Sequence, residues 1–297
     1  MQISNVKTHP NIIYSLLKQM RIKQWTKNVL VFAALIFSPA EYSVNMFYDV
    51  LLSFILFSLV SSCVYILNDY MDLEADRNHP TKRFRPMASG ALNPQFTLVF
   101  GLLLMISCLI IAFFMNISFA LLLSFYVIIN IAYSVSLKHI VILDVMIVAS
   151  GFVIRAIGGG LIIYVKLTPW FLVCTMLLSL FLAISKRRQE FILAQEKDSS
   201  HRKVLKFYNK ELLDQMNSIV TTATVISYAL FTFTSGRTVY LMWTVPVVIY
   251  GIFRYLYLIH VEGKGGSPDR LLFEDKPMLF TVALYGISVM CILIYFE

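Results

Sequence analysis

The chain reads as an all-α polytopic membrane protein, a bundle of nine transmembrane helices forming one domain over residues 1–297. Three observations predict this class. Of its 297 residues, 58% are hydrophobic and only 14% charged, a balance unlike that of a soluble domain. Apolar stretches long enough to span a bilayer recur along its whole length. With the N-terminus inside, 22 of the 25 Lys and Arg residues fall in alternate loops on one face or in the span ends that meet them, which is the positive-inside pattern. That asymmetry also accounts for the net charge of +8: the charge belongs to a membrane face and requires no nucleic-acid partner. It predicts a plasma (inner) membrane protein whose N-terminus and long polar loops are cytoplasmic.

The predicted spans are Thr26–Tyr42, Met46–Leu67, Phe96–Met115, Ile117–Tyr133, Val141–Ile163, Trp170–Ile184, Ile219–Phe233, Leu241–Ile259 and Met278–Tyr295. The first has a short apolar core. It follows the basic amphipathic segment Arg21-Ile-Lys23-Gln-Trp25-Thr-Lys27-Asn28, whose lysines suit snorkelling anchors but could also face a cavity and hold a phosphate. No small-residue cleavage site follows an apolar core near the N-terminus, so no signal peptide is expected. The four cysteines are scattered within spans, without metal-ligand spacing, and read as small core residues.

The second span runs into Asn68-Asp69-Tyr-Met-Asp72-Leu-Glu-Ala-Asp76, followed by His79-Pro-Thr-Lys82-Arg83-Phe-Arg85. On a helix continuing out of the bilayer, Asn68, Asp69, Asp72 and Asp76 share one face. Carboxylates this close repel one another unless a cation intervenes. Their hard oxygens suit Mg²⁺, which usually shares itself with substrate phosphates, and the basic run behind them could hold those phosphates. An ordinary solvated loop would explain the charges too. It explains less well why Asp69 and Asp72 lie beside an apolar span, where ionised groups are costly.

Tyr133-Ser-Val-Ser-Leu-Lys138-His139 closes the fourth span, and Asp144 opens the fifth. In that fifth helix Asp144, Val148, Gly151, Arg155 and Gly158 form one stripe, with Asp144 and Arg155 ~16 Å apart. Each needs a partner elsewhere; for Arg155 an inward-facing carboxylate and a substrate anion are equal alternatives. Gly158–Gly160 reads as a close-packing surface, not a phosphate cradle. Ser185-Lys186-Arg187-Arg188-Gln-Glu190 closes the sixth span. Arg188 suits membrane anchoring, while Lys186 and Arg187 lean towards anion binding. The following loop can form short surface helices at Glu190–Lys197 and Arg202–Asp214, and Glu262–Arg270 is a flexible glycine-rich loop. None of the five histidines has a credible ligand or triad setting.

The run NDYMDLEADRNHPTKRFRP resembles the first aspartate-rich motif, NDxxDxxxD, of the UbiA superfamily of intramembrane prenyltransferases, and nine spans agree with that family. The stretches RIKQWTKN, HPTKRFRPMASG, YSVSLKH, KRRQE and GKGGSPDRLLFED are similar to its phosphoribosyl-transferring branch. Members that use prenyl diphosphate carry a second motif, DxxxD, whereas here Asp144 is followed by Val148. The resemblance therefore implies a UbiA-type bundle with a cytoplasmic active site that moves phosphoribose from phosphoribosyl pyrophosphate to a polyprenyl phosphate for envelope polysaccharide precursors. It implies catalytic Asp69, Asp72 and Asp76, with Asn68 and Asp144 completing a Mg²⁺ set. Lys82, Arg83 and Arg85, with Lys23, Lys27, Tyr133, Lys138, Arg155, Lys186 and Arg187, would bind substrate phosphates. Membrane lipids are the other expected partners, and a homo-oligomer is left open. Two rivals are a prenyl-transferring member of the family and a non-enzymatic lipid-phosphate carrier. A carrier would place its polar groups nearer the bilayer midplane.

Overall fold

The structure, a computed structural model, describes residues 11–37, 43–196, 203–234, 236, 238–264, 271 and 274–296. All regular elements among these residues are helical. In chain order they are α1 (Ile12–Gln19), a 3₁₀ run (Ile22–Phe32), α2 (Ala33–Phe37), α3 (Val44–Met71), α4 (Leu73–Arg77), α5 (Pro94–Met115), α6 (Ile117–Val135), α7 (Leu143–Ile162), α8 (Pro169–Glu196), α9 (Lys210–Thr234), α10 (Val245–His260) and α11 (Lys276–Phe296). Further 3₁₀ stretches lie at Lys82–Phe84, Leu137–His139 and Lys203–Phe207, and another, Val239–Thr244, leads into α10.

Eight helical segments among the described residues are long and apolar enough to cross a membrane. They coincide with the second to ninth predicted spans. The first predicted span is corrected: it is not one α-helix but the 3₁₀ run followed by α2. At ~2.0 Å and ~1.5 Å per residue these reach ~30 Å, about the thickness of a hydrocarbon core. This crossing packs tightly against α7. Val31 and Ala34 are fully buried, and Gly159 of α7 approaches so closely that an added Cβ would stand 1.9 Å from the Val31 carbonyl oxygen. The glycines at 158–160 are thus a packing surface, as the sequence suggested.

α3 and α7 lie at the centre, with 61% and 56% of their apolar windows buried, whereas α5 and α11, at 17%, face outward along most of their length. One core, around Phe57, Phe119, Leu123, Tyr126 and Ile154, joins α3, α5, α6 and α7. A second, around Phe181, Tyr255 and Leu258, joins α8, α9 and α10. Association inside a bilayer gains little from excluding water, so close packing has to hold such interfaces.

The two ends of the bundle differ sharply. At one end the turns are short: Asn116 closes α5 and caps α6 by accepting from Phe119 N at 3.0 Å, and its Nδ2 reaches Leu161 O of α7. At the other end lie the ion pairs. Here the expected surface helix at Glu190–Lys197 is corrected, whereas the expected Arg202–Asp214 contains a short 3₁₀ stretch at Lys203–Phe207. α8 runs unbroken through Glu190 to Glu196, and α9 begins at Lys210. Residues 265–270 of the predicted glycine-rich loop lie outside the described residues.

Candidate active site

The acidic motif is not one continuous helical face. α3 stops at Met71, and Asp72 (φ −92, ψ 8) breaks the helix before α4 starts. That corner divides the carboxylates into two groups. Asp69, on the last turn of α3, and Asp76, on α4, both turn inward and are 2% exposed. Arg85 Nη1 lies between them, donating to Asp69 Oδ1 at 2.8 Å and to Asp76 Oδ2 at 2.5 Å. Asp72 faces elsewhere, accepting from Lys138 Nζ at 3.0 Å and from Asn68 Nδ2 at 3.4 Å.

Two residues that the sequence did not single out complete the surroundings of Asp69. Arg21 Nη2 donates to its Oδ1 at 2.6 Å, and Gln19 Nε2 to its Oδ2 at 2.7 Å. Gln19 ends α1, and Arg21 adopts a left-handed backbone (φ 53) where α1 turns into the 3₁₀ run. A non-glycine residue in that region is uncommon, and such strain is concentrated at functional sites. Beside them opens a cavity of about 280 Å³ lined by Lys18, Gln19, Arg21, Asp69, Thr81 and Arg85. Its lining carries three cations and one carboxylate, and Arg85 is shared with Asp76 outside that lining.

Of the other expected residues, Lys82 reaches this pair. Lys82 Nζ is 3.9 Å from Asp76 Oδ1. Arg83 is exposed, with its guanidinium 4.9 Å over the Phe84 ring. Lys23 is exposed, Lys27 and Tyr133 are half-buried, and Lys186 is exposed on α8.

Asp144 forms a separate, fully buried cluster. Its Oδ2 is 2.8 Å from Arg187 Nη2, and Arg187 also contacts Glu190. Tyr208, just ahead of α9, donates to Asp144 Oδ1 at 2.8 Å and accepts from Ile142 N at 2.8 Å. Ile142 is held at φ 69, a genuine outlier for a β-branched residue. Burial pushes the Tyr208 hydroxyl up to about 12. Among the described residues no three acidic, His or Cys side chains converge as a metal site. Asp144, expected to join the first motif as a ligand, has its carboxylate engaged by Arg187 and Tyr208.

Arg155 is also buried. It meets neutral acceptors instead of an inward carboxylate: Asn28 Oδ1 at 2.6 Å, Gly151 O at 2.5 Å and Tyr126 OH at 2.9 Å, with the Tyr126 ring centroid 5.0 Å away. Asn28 is itself aimed by donating to Ser58 and Ser61. This arrangement ties the 3₁₀ run to α7 and α6.

The donor set still suits a divalent cation. Asp69 and Asp76 already share one positively charged nitrogen, so two hard oxygens can serve a single cation once the guanidinium gives way. A helical membrane bundle with an acidic–basic pocket at one polar end is the class that fold and site define. A model of the UbiA prenyltransferase family matches residues 29–273, and the chain belongs to that family. It is 34% identical to a decaprenyl-phosphate phosphoribosyltransferase of Mycolicibacterium smegmatis over 97% of this chain and 94% of that one. It is also 34% identical to one from Corynebacterium glutamicum, covering 98% and 90%. The fold matches a UbiA homolog from Archaeoglobus fulgidus solved with GPP and Mg²⁺, with a TM-score of 0.71 at 20% identity, covering 93% of this chain and 99% of that one.

Proposed function

We propose that this enzyme transfers the 5-phosphoribosyl group of phosphoribosyl pyrophosphate to a polyprenyl phosphate. The observation that carries the reading is the convergence of Asp69 and Asp76 on one cation beside a pocket bearing Lys18, Arg21 and Arg85. Such a pocket favours a diphosphate accompanied by a metal. The names of relatives that align over nearly the whole chain support the sugar as the group transferred.

In this reading the lipid phosphate oxygen forms a bond to the anomeric carbon while the carbon–pyrophosphate bond breaks, and its electron pair leaves with pyrophosphate. The attacking oxygen is already ionised at neutral pH, so no general base is required. Mg²⁺, when bound, neutralises charge on the departing pyrophosphate. Asp69 and Asp76, with Asp72 on the adjoining corner and Asn68 bonded to it, would hold that ion. Arg85, Arg21, Lys18 and Lys82 place positive charge where the phosphates lie, and Lys138 extends it along Asp72. Asp144, Arg187 and Tyr208 fix the neighbouring helices. The isoprenoid chain would lie between apolar helices, open to lipid. Since the basic loops share the end that carries the site, the active site is cytoplasmic and the chain is one domain of the plasma membrane.

The test is formation of a radiolabelled lipid from labelled phosphoribosyl pyrophosphate, with and without Mg²⁺, in membranes that contain the chain. Labelled prenyl diphosphate is supplied in a parallel reaction. Label entering lipid only from the sugar donor supports the reading. Transfer only from the prenyl donor replaces it with the prenyl-transferring alternative, and transfer from neither favours a carrier.

A further inference from the structure

The segment that brings Gln19 and Arg21 to Asp69 is fastened to α3 a second time, two turns deeper in the bundle. The fastening residue, Ser62, is fully buried and has no role in the steps above. Its Oγ accepts from Trp25 Nε1 at 3.0 Å and faces two carbonyls, Met20 O at 2.8 Å and Ser58 O at 2.9 Å. The hydroxyl has one proton to give. Ser58 O, inside α3, already has the helical N–H four residues on as its donor, and the Ser61 hydroxyl at 3.0 Å. Met20 O stands just past the end of α1, where carbonyls lack an intrahelical donor. The proton therefore serves Met20 O, and the indole N–H, by taking a lone pair of Oγ, aims it there.

The carbonyl that Ser62 holds belongs to the planar peptide unit joining Met20 to Arg21. Pinning it fixes the plane about which Arg21 takes its φ. Arg21 is left-handed, at φ 53 and ψ 49, a conformation that a non-glycine residue keeps only where its surroundings over-determine it. From there its guanidinium lies 4.7 Å over the Tyr65 ring and reaches Asp69 Oδ1 at 2.6 Å. Ser58, Ser62, Tyr65 and Asp69 recur at steps of four, three and four residues, so they share one face of α3. If the turn relaxed to the right-handed region, the Arg21 side chain would swing off that face. The pocket would lose one of its cations.

We propose that Ser62 is a positioning residue for the transfer reaction: through Met20 O it holds the strained turn that presents Arg21 to Asp69 and to the substrate anion. This rests on the phosphate-binding pocket of the reading above, and not on which diphosphate donor fills it. Trp25 takes part as the group that orients the Ser62 hydroxyl.

The experiment is a double-mutant cycle of Ser62→Ala and Arg21→Gln in the full chain in membranes, read as kcat/KM for phosphoribosyl pyrophosphate. Ser62→Ala is expected to lower kcat/KM by about tenfold or more, the scale on which a displaced substrate-positioning group is felt. In the Arg21→Gln background the same substitution should change it by less than about twofold, because no guanidinium is left to place. If Arg21→Gln turns over too slowly, the same cycle is read as the Kd of labelled phosphoribosyl pyrophosphate. Trp25→Phe keeps a ring and loses the N–H. It should give a smaller loss that again disappears in the Arg21→Gln background, and it replaces Ser62→Ala should that variant fail to insert. Losses that multiply across the cycle overturn the proposal, since a residue that only steadies the bundle acts independently of Arg21. So does Ser62→Ala with wild-type kcat/KM. If label enters lipid only from prenyl diphosphate, the phosphoribosyl reading falls, and the cycle run with that donor still decides the role of Ser62.

Discussion

Replacing Arg155 tests whether it belongs to the fold or to the substrate site. Its Nε–Asn28 Oδ1 contact, at 2.6 Å between two buried side chains, links the 3₁₀ crossing to α7. Hydrogen bonds to charged groups contribute about 1.5–3 kcal/mol in proteins generally, whereas interhelical bonds within membranes average ~0.6 and reach ~1.7 kcal/mol. This pair should lie near the top of the membrane range. The cation has no counter-charge among its partners, and Ser58 and Ser61 hold the asparagine carbonyl in place. A coupling of about 1.5 kcal/mol is expected. The assay is a double-mutant cycle of Asn28→Ala and Arg155→Met, read as melting temperature in detergent. At roughly 2–4 °C per kcal/mol, the double variant should melt about 3 °C or more above the additive expectation. The surviving folded Arg155→Met enzyme should keep the donor KM within about twofold of wild type, since the guanidinium is already engaged by Asn28, Gly151 and Tyr126. Additive melting shifts would refute the clamp. A large rise in KM would return Arg155 to the substrate site.

Arg85→Gln removes the cation shared by Asp69 and Asp76 and should lower pyrophosphate release by at least about a hundredfold with unchanged membrane insertion; activity within threefold of wild type would contradict this. Gly159→Ala should destabilise far more than Gly158→Ala, as judged by yield and melting. The added methyl meets the Val31 backbone oxygen at 1.9 Å in the first case, and in the second the side chains of Phe57 and Phe119 at 3.3 Å and of Leu122 at 3.5 Å. Tyr208→Phe strips a partner from both Asp144 and Ile142 N and should cost about 1–3 kcal/mol near neutral pH. A hydroxyl raised from 10.0 to about 12 contributes its stabilising effect fully below pH 10 and loses it as pH rises through 12. Alkaline melting curves of wild type should therefore fall more steeply over that window than those of the variant, and parallel curves would count against the assignment.

The acidic corner shows how far the residues alone could lead. Asp69, Asp72 and Asp76 stand out because ionised groups at the end of an apolar span are conspicuous, and Arg85 because it follows them in a basic run. The assumption that Asn68, Asp69, Asp72 and Asp76 stay on one face failed at Asp72, where α3 ends. A single corner residue rotates everything after it, and no periodicity reports that. Gln19 was passed over for the opposite reason: a lone glutamine at the end of a short amphipathic helix has no pattern, and only its burial against Asp69 distinguishes it. Arg21 lay within a segment whose lysines drew the attention, and the left-handed turn that points it at Asp69 leaves no trace in composition.

Local properties were enough to fix the spans, the polar end and the acidic motif, because hydropathy, length and the sign of a charge belong to residues wherever the chain puts them. Which partner each charge takes was decided by tertiary structure alone. Asp76 shares Arg85 with Asp69, Asp144 holds Arg187, and Arg155 settles among neutral oxygens and aromatic faces. In a low-dielectric bundle a charge is stabilised over a few ångströms by whatever groups the packing brings within reach. Those groups are up to 127 residues away along the chain.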